Sequence, residues 1–155
     1  MVMRKRPVLR VLVVAAALAA TAAGSRAEPV GPALTPKLKD TLREEMQQVL
    51  GASQDILAAL VVGDHATVAA RSQKIHDSFI LEQALTEQDL KDLEAAVPPA
   101  FLELDAAFHR TAADLATAAQ AQDAGREAAL LGRMIEACAD CHGRFAGDCF
   151  PGLER

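Results

Sequence analysis

The C-terminal part of the chain carries the run Cys-Ala-Asp-Cys-His at residues 138–142, in which two thiols and an imidazole lie close together. On a helix that advances about 100° per residue, Cys138, Cys141 and His142 fall within an arc of about 100° and face one way. Two thiols at this spacing can bond to the two vinyl groups of a haem, and the imidazole that follows can ligate its iron. The spacing predicts one covalent haem c, attached through Cys138 and Cys141, with His142 as the proximal iron ligand.

Two other kinds of chemistry use closely spaced cysteines. A thioredoxin-like redox pair needs a low-pKa thiolate at a helix N-terminus after a strand, whereas this motif lies near the C-terminus of a predicted helix. A structural zinc site would use Cys138, Cys141, His142 and Cys149, but these ligands are crowded, and a second ligand pair from elsewhere is absent from the sequence. Haem attachment is favoured, and a structural zinc-binding helical module stays open as an alternative.

The N-terminus has the pattern of an export signal. Four basic residues within the first ten precede an apolar run over residues 11–23, which is shorter than the roughly 20 residues that span a bilayer. The run is followed by Ser25-Arg26-Ala27, with small residues at the positions that a signal peptidase recognises. We expect residues 1–27 to be a signal peptide cleaved after Ala27, which predicts a periplasmic protein without stable membrane insertion. An uncleaved anchor is the alternative.

Composition limits the functions that the chain can have. Its 155 residues and 51% hydrophobic content suit one compact domain. Removal of residues 1–27 takes away five basic residues and no acidic one, so the formal net charge falls from -5 to -10. An acidic surface argues against nucleic-acid binding and fits docking on basic redox partner proteins, although the charge also serves solubility. Beyond the motif, no residue set resembles a catalytic acid, base or nucleophile, so we expect a carrier rather than an enzyme.

Apolar periodicity predicts an all-α fold. A flexible lead over residues 28–34 is expected first, followed by helix A from Thr35-Pro36 to Gly63 and helix B from Asp64 to about Leu81. A short helix then begins at the Thr86–Asp89 capping box. Helix C is expected from Pro99 to about Gln122, and helix D from Asp123 to about Gly147. Four principal helices joined by short links predict an antiparallel four-helix bundle over residues 35–155, with the haem at its last helix.

The apolar stripes of the predicted helices identify the residues that are expected to face the core. In helix A they are Leu38, Leu42, Met46, Val49, Leu50, Ile56, Leu57, Leu60 and Val61; in helix B, Val68, Ile75, Phe79 and Ile80; in helix D, Ala128, Leu131, Met134, Ile135, Cys138, Cys141, His142 and Phe145. The other three histidines, His65, His76 and His109, are expected to be exposed or hydrogen-bonded at the surface.

A haem motif near the end of the last of four helices resembles the class II c-type cytochromes, which are the cytochrome c-prime family and its low-spin relatives. The resemblance covers roughly residues 35–155 and includes the short link after helix A and the longer link from Glu82 to Pro98. In that family a basic residue commonly stands four positions after the haem histidine. Here that position is Ala146, and Arg144 is the nearest basic residue, while Phe145 matches the family's aromatic residue.

The resemblance also implies that helix A faces the side of the haem opposite His142. Met46 lies close to where low-spin relatives carry a methionine ligand and c-prime members carry a non-ligating apolar residue, so it is the candidate distal iron ligand. Core packing is the alternative role for this side chain. Ligation by Met46 predicts an electron-transfer protein, whereas an open position predicts a five-coordinate haem that binds NO or CO.

Cys149 is left over from the motif. It is expected to be a free thiol, and the alternative is a disulfide between two copies of the chain in a homodimer.

Overall fold

The computed structural model describes residues 28–78 and 85–153. Every regular element in these ranges is helical: α1 (Pro36–Val62), α2 (His65–Asp77), α3 (Glu87–Ala96), α4 (Pro99–Gln120) and α5 (Ala124–Phe145), with 3-10 turns at Gly31–Ala33 and Pro151–Leu153. The predicted all-α class is confirmed. None of the described helices is long and apolar enough to cross a bilayer. The predicted signal peptide, residues 1–27, lies outside the described residues.

Local capping signals set the ends of the helices. The Thr35 side chain accepts a hydrogen bond from the Leu38 N–H, and Asp64 and Asp123 do the same for Thr67 and Arg126. Thr86 and Asp89 form the expected reciprocal capping box of α3. Gly63 ends α1 with a φ of 74°, a left-handed conformation that glycine adopts without a Cβ clash. The predicted helix starts are confirmed.

Helix α2 is shorter than expected. It ends at Asp77, because Ser78 leaves the helix and both its N–H and its hydroxyl donate to the Ile75 carbonyl. The prediction that helix B continues to Leu81 is therefore wrong. The predicted core positions Phe79 and Ile80 lie outside the described residues.

Four helices enclose a core that we call the aliphatic core. Around it, α2 packs against α1 and α4, and α5 packs against α4 and α1. Its buried side chains are Val49, Ala52, Ile56, Ala59, Val68, Ile75, Ala112, Leu115, Ala118, Ala119, Leu130, Leu131 and Met134. Their burial provides the main driving force that holds these four helices together.

A second buried cluster lies at the end of α5 that carries the cysteine motif, and we call it the motif-end core. It consists of Val30, Leu34, Leu38, Leu93, Val97, Phe101 and Phe145, and Cys141 packs against it. Two of these residues belong to the lead before α1, and the Val30 N–H donates to the Phe145 carbonyl at 2.9 Å. The lead, which was predicted to be flexible, contributes two buried apolar side chains and one backbone hydrogen bond to this end of the fold.

Several residues on the predicted stripes face solvent instead. Leu50, Leu57 and Val61 are 60%, 52% and 74% exposed, and Ile135 is 56% exposed. Each is the chain neighbour of a residue that packs in the core, and neighbours on a helix point about 100° apart. Ala128 is exposed as well. The inward assignments of Leu50, Leu57, Val61, Ala128 and Ile135 are therefore corrected.

Candidate functional site

The cysteine motif occupies the last two turns of α5, as expected. Cys138, Cys141 and His142 are all half-buried, and the buried Phe145 continues the same face. Since Cys141 packs against the motif-end core, this face adjoins large apolar side chains. The prediction that the two thiols and the imidazole share one face of the last helix follows from the helical geometry and is confirmed.

The three cysteines are free thiols, and two of them are shielded from water. Burial raises the pKa of Cys138, and burial together with the charge of Asp105 raises the pKa of Cys141 to about 11. Both groups are therefore protonated at neutral pH. Cys149 is also a free thiol, and it is exposed.

His142 carries a neutral ring that is held by an aromatic contact. Burial lowers its pKa, which favours the neutral imidazole that a metal ion accepts as a ligand. The ring stacks on Phe150 with 4.5 Å between centroids and 10° between planes. Among the described residues, neither ring nitrogen makes a hydrogen bond, so both ring edges are available for ligation.

Arg144, the basic residue nearest to His142, points away from the face of α5 that carries the motif. Arg144 is exposed, its guanidinium pairs with Asp140 at 3.4 Å, and its Cζ lies over the Phe145 ring, 5.4 Å from the centroid. On the helix it stands about 160° from His142, so it does not take the place of the basic residue that the family carries at the position of Ala146.

These residues fit a covalently attached haem. Two free thiols stand at the attachment spacing, Cys141 adjoins an apolar cluster, and a neutral imidazole follows them. A small cavity of about 40 Å³ lies on the opposite face of α5, beside Ala139 and Gly143, and is far too small for a porphyrin. The described residues contain no group of three or more histidine, cysteine or acidic side chains arranged to hold a metal ion. The four candidate zinc ligands are therefore not brought together.

Helix α1 presents a different residue to the interior than expected. Met46, the candidate distal ligand, is half-buried, whereas its neighbour Glu45 is only 1% exposed. Glu45 stands seven residues after Leu38 and four before Val49, so a carboxylate occupies the buried position of this turn. The apolar stripe of α1 is thus interrupted by an acidic side chain close to where the distal ligand was predicted.

Glu45 belongs to a buried polar cluster that the sequence did not reveal. His109 of α4 is only 3% exposed, which corrects its predicted surface role. Its Nε2 lies 3.6 Å from Glu45 Oε1 and 3.7 Å from Asp105 Oδ1, and its Nδ1 donates to the Ile75 carbonyl at 2.7 Å. Burial alone would lower the pKa of His109, but Asp105, the Ile75 carbonyl and Glu45 together raise it.

The cluster adjoins the motif, since the charge of Asp105 acts on Cys141. Two features of the sequence could have located this cluster. Asp105 and His109 stand four residues apart on one face of a predicted helix. Glu45 interrupts an apolar stripe at an inward position.

The remaining two histidines make hydrogen bonds, as expected. His65 Nδ1 lies 2.6 Å from Oε1 of the buried Glu127, which links the start of α2 to α5. His76 Nδ1 donates to the His109 carbonyl at 3.2 Å. Both rings are half-buried and lie on α2 rather than beside the motif.

No known protein family, curated protein or solved structure matches this chain.

Proposed function

We propose that the chain is a periplasmic mono-haem c-type cytochrome that carries single electrons. The observation that supports this most is the pair of free, half-buried thiols, Cys138 and Cys141, on the face of α5 that adjoins the motif-end core. His142 follows them directly, with both ring nitrogens free of hydrogen bonds in the described part of the chain. Each thiol would add its sulfur and its hydrogen across one vinyl group of the haem, which forms a thioether without a net change in oxidation state.

An antiparallel four-helix bundle of the class II type is the architecture that we propose. Helices α1, α2, α4 and α5 pack in a ring around the aliphatic core, and short links join α1 to α2 and α4 to α5. Short links favour antiparallel neighbours. The Asp55–Arg71 ion pair between α1 and α2, and the Phe101–Phe145 ring contact between α4 and α5, agree with this direction.

The protein's own residues would hold the haem and control its surroundings. Haem supplies one-electron iron chemistry when it is bound. Cys138 and Cys141 anchor it, His142 ligates the iron, and the large side chains of the motif-end core exclude water from that end of the bundle. The acidic surface suits collision with basic redox partners, so we expect electron-transfer rates to fall as ionic strength rises.

The covalent attachment can be tested directly. The chain is exported together with a cytochrome c maturation system, and the mature protein is run on a denaturing gel that is stained for haem. We expect a stained band for the wild type, a weaker band for Cys138→Ser and for Cys141→Ser, each of which can form only one thioether, and no stain when both cysteines are replaced. Cys149→Ser is the matched control and keeps the stain. A wild-type band without haem that retains zinc after purification would contradict the proposal.

Met46 is our candidate for the sixth iron ligand, because a thioether opposite His142 favours a low-spin carrier. The test compares Met46→Leu with Met134→Leu, since both remove a thioether at nearly constant volume. We expect Met46→Leu to convert a low-spin visible spectrum to a high-spin one, and Met134→Leu, in the aliphatic core, to leave it unchanged. A low-spin spectrum that persists in Met46→Leu would remove this residue from the site.

A second candidate function is a five-coordinate haem that binds NO or CO. It is favoured by the half-burial of Met46, because the buried position of this α1 turn belongs to Glu45. A high-spin wild-type spectrum that shifts on addition of CO would select this function over electron transfer.

A further inference from the structure

The chain that follows α5 folds back onto the helix, and we call residues 146–153 the tail. The Ala146 N–H donates to the His142 carbonyl at 3.0 Å, and the N–H groups of Cys149 and Phe150 both donate to the Ala146 carbonyl at 2.9 Å. A further bond joins the Leu153 N–H to the Phe150 carbonyl at 3.0 Å. These bonds give the tail a defined path rather than an open end.

Gly143 allows the tail to reach the helix. The carbonyl group of Leu153 occupies the space that a Cβ on Gly143 would need. Any other residue at this position would push the tail backbone away from α5, because a backbone carbonyl cannot yield as a flexible side chain does. By contrast, Gly132 on the same helix has open space where its Cβ would stand. The contact at Gly143 is therefore specific to the end of α5 that carries the motif.

The tail also reaches the imidazole of His142. Phe150 lies almost parallel to that ring, with 4.5 Å between the centroids. A parallel stack restricts rotation of the imidazole about its Cβ–Cγ bond, since rotation would drive one ring edge into the phenyl face. It leaves both nitrogens free, because they lie at the edge of the ring and not on its face.

We propose that the tail fixes the orientation of the His142 ring, with Phe150 as the positioning residue. The inference rests on the proposed function, in which His142 ligates iron. Metal-bound histidines are usually oriented by a hydrogen bond from the second ring nitrogen. Within the described residues His142 has none, so the aromatic stack takes over that task. A fixed imidazole plane gives the iron a single ligand field.

Electron paramagnetic resonance of the ferric, haem-loaded full chain tests this orientation. We expect the wild type to show one set of g values, because they depend on the angle of the imidazole plane. Phe150→Leu and Gly143→Ala should each broaden the signal or add a second set, since one removes the stacked ring and the other displaces the tail. Phe150→Tyr keeps an aromatic ring and should therefore retain the single set. If Phe150 served only to fill space, an aromatic ring at this position would not be required.

Two matched controls separate this effect from general disturbance. Cys149→Ser changes the exposed neighbour of Phe150, and Gly132→Ala adds a Cβ to α5 where no other atom lies within 4 Å of it. Both should retain the wild-type g values. Wild-type g values in Phe150→Leu would overturn the tail proposal while leaving a haem-stained protein, and hence the proposed function, intact.

The haem-free full chain gives an independent readout. Stacking on Phe150 shifts the ring proton resonances of His142 upfield, and Phe150→Leu should move them back downfield, as Gly143→Ala should. If the wild type carries no haem stain, the proposed function fails and this nuclear magnetic resonance comparison decides the tail proposal alone. Resonances that do not move in either variant would overturn it.

Discussion

The aliphatic core and the motif-end core are built from different side chains. All thirteen buried residues of the aliphatic core are aliphatic or methionine, and five of them are alanine. Among the described residues, the motif-end core holds seven buried side chains, which include Phe101 and Phe145 and no alanine, and the partly buried Ala96 and Ala100 pack against it. Small side chains let α1, α2, α4 and α5 approach closely, whereas large side chains fill the end where the lead, α3 and the motif meet. The first region supports the fold, and the second surrounds the candidate site.

Two buried contacts between a carboxylate and an imidazole differ in their depth. Near the start of α2 and of α5, the half-exposed His65 pairs with the buried Glu127. Close to the motif, His109 is itself buried and faces both Glu45 and Asp105. The His109 contact, which lies beside the motif, is therefore the more deeply buried of the two. We expect its loss to lower the free energy of unfolding more than loss of the His65–Glu127 contact does.

We expect the largest loss of stability from a substitution at Phe101 in the motif-end core. Phe101→Ala should destabilise the chain by about 3–5 kcal/mol, because it removes a large ring from the motif-end core. Leu115→Ala in the aliphatic core should cost a similar or smaller amount, about 2–5 kcal/mol. Urea unfolding measures both. In the haem-loaded protein only Phe101→Ala should shift the visible spectrum, and an equal shift in Leu115→Ala would erase the functional difference between the cores.

His109→Leu should have the next largest effect, a loss of about 3 kcal/mol, since it removes a buried imidazole that faces two carboxylates. The folded state raises the pKa of His109. Its charge therefore stabilises the fold fully below the ordinary histidine pKa, and that stabilisation is lost as pH rises through the raised value. Unfolding free energies measured between pH 5 and 9 should show a fall in the wild type that is smaller in His109→Leu. An identical pH dependence in both proteins would contradict this.

His65→Ala should cost less, about 1–2 kcal/mol, because it leaves the buried Glu127 without the hydrogen bond from His65 while water can reach that edge of the fold. Glu127→Gln in the same chain should recover part of the loss, which a double-mutant cycle measures. The haem spectrum should stay unchanged in both variants. A change in the haem spectrum would show that the His65–Glu127 contact influences the motif, although it lies at the starts of α2 and α5.

Thr86→Ala should have the smallest effect, about 1 kcal/mol, through loss of the capping box at the start of α3. Helix α3 supplies Leu93 to the motif-end core, so hydrogen exchange should increase in α3 and leave α2 unchanged. Asp123→Ala, which removes the cap of α5, is the counterpart at the other core. Increased exchange throughout the chain in Thr86→Ala would mean that α3 does not open independently.

The helices and the motif could be predicted because their signals are local. Thr35, Asp64, Thr86 and Asp123 each cap a helix through a bond to a residue three positions ahead, so a short stretch of sequence is sufficient. The common face of Cys138, Cys141 and His142 likewise follows from helical geometry within two turns. The haem, the export signal and the role of Met46 stay predictions.

Tertiary structure alone decided which polar and apolar groups are inside. The burial of Glu45 and His109 and the exposure of Leu50 and Leu57 depend on how each helix is rotated against its neighbours, and adjacent positions on one helix do not encode that rotation. The stack of Phe150 on His142 arises because the tail folds back over Gly143. Amino-acid order thus determined the cysteine–histidine motif and the helix that carries it, while packing between distant segments determined which side chains lie around the motif and against the His142 ring.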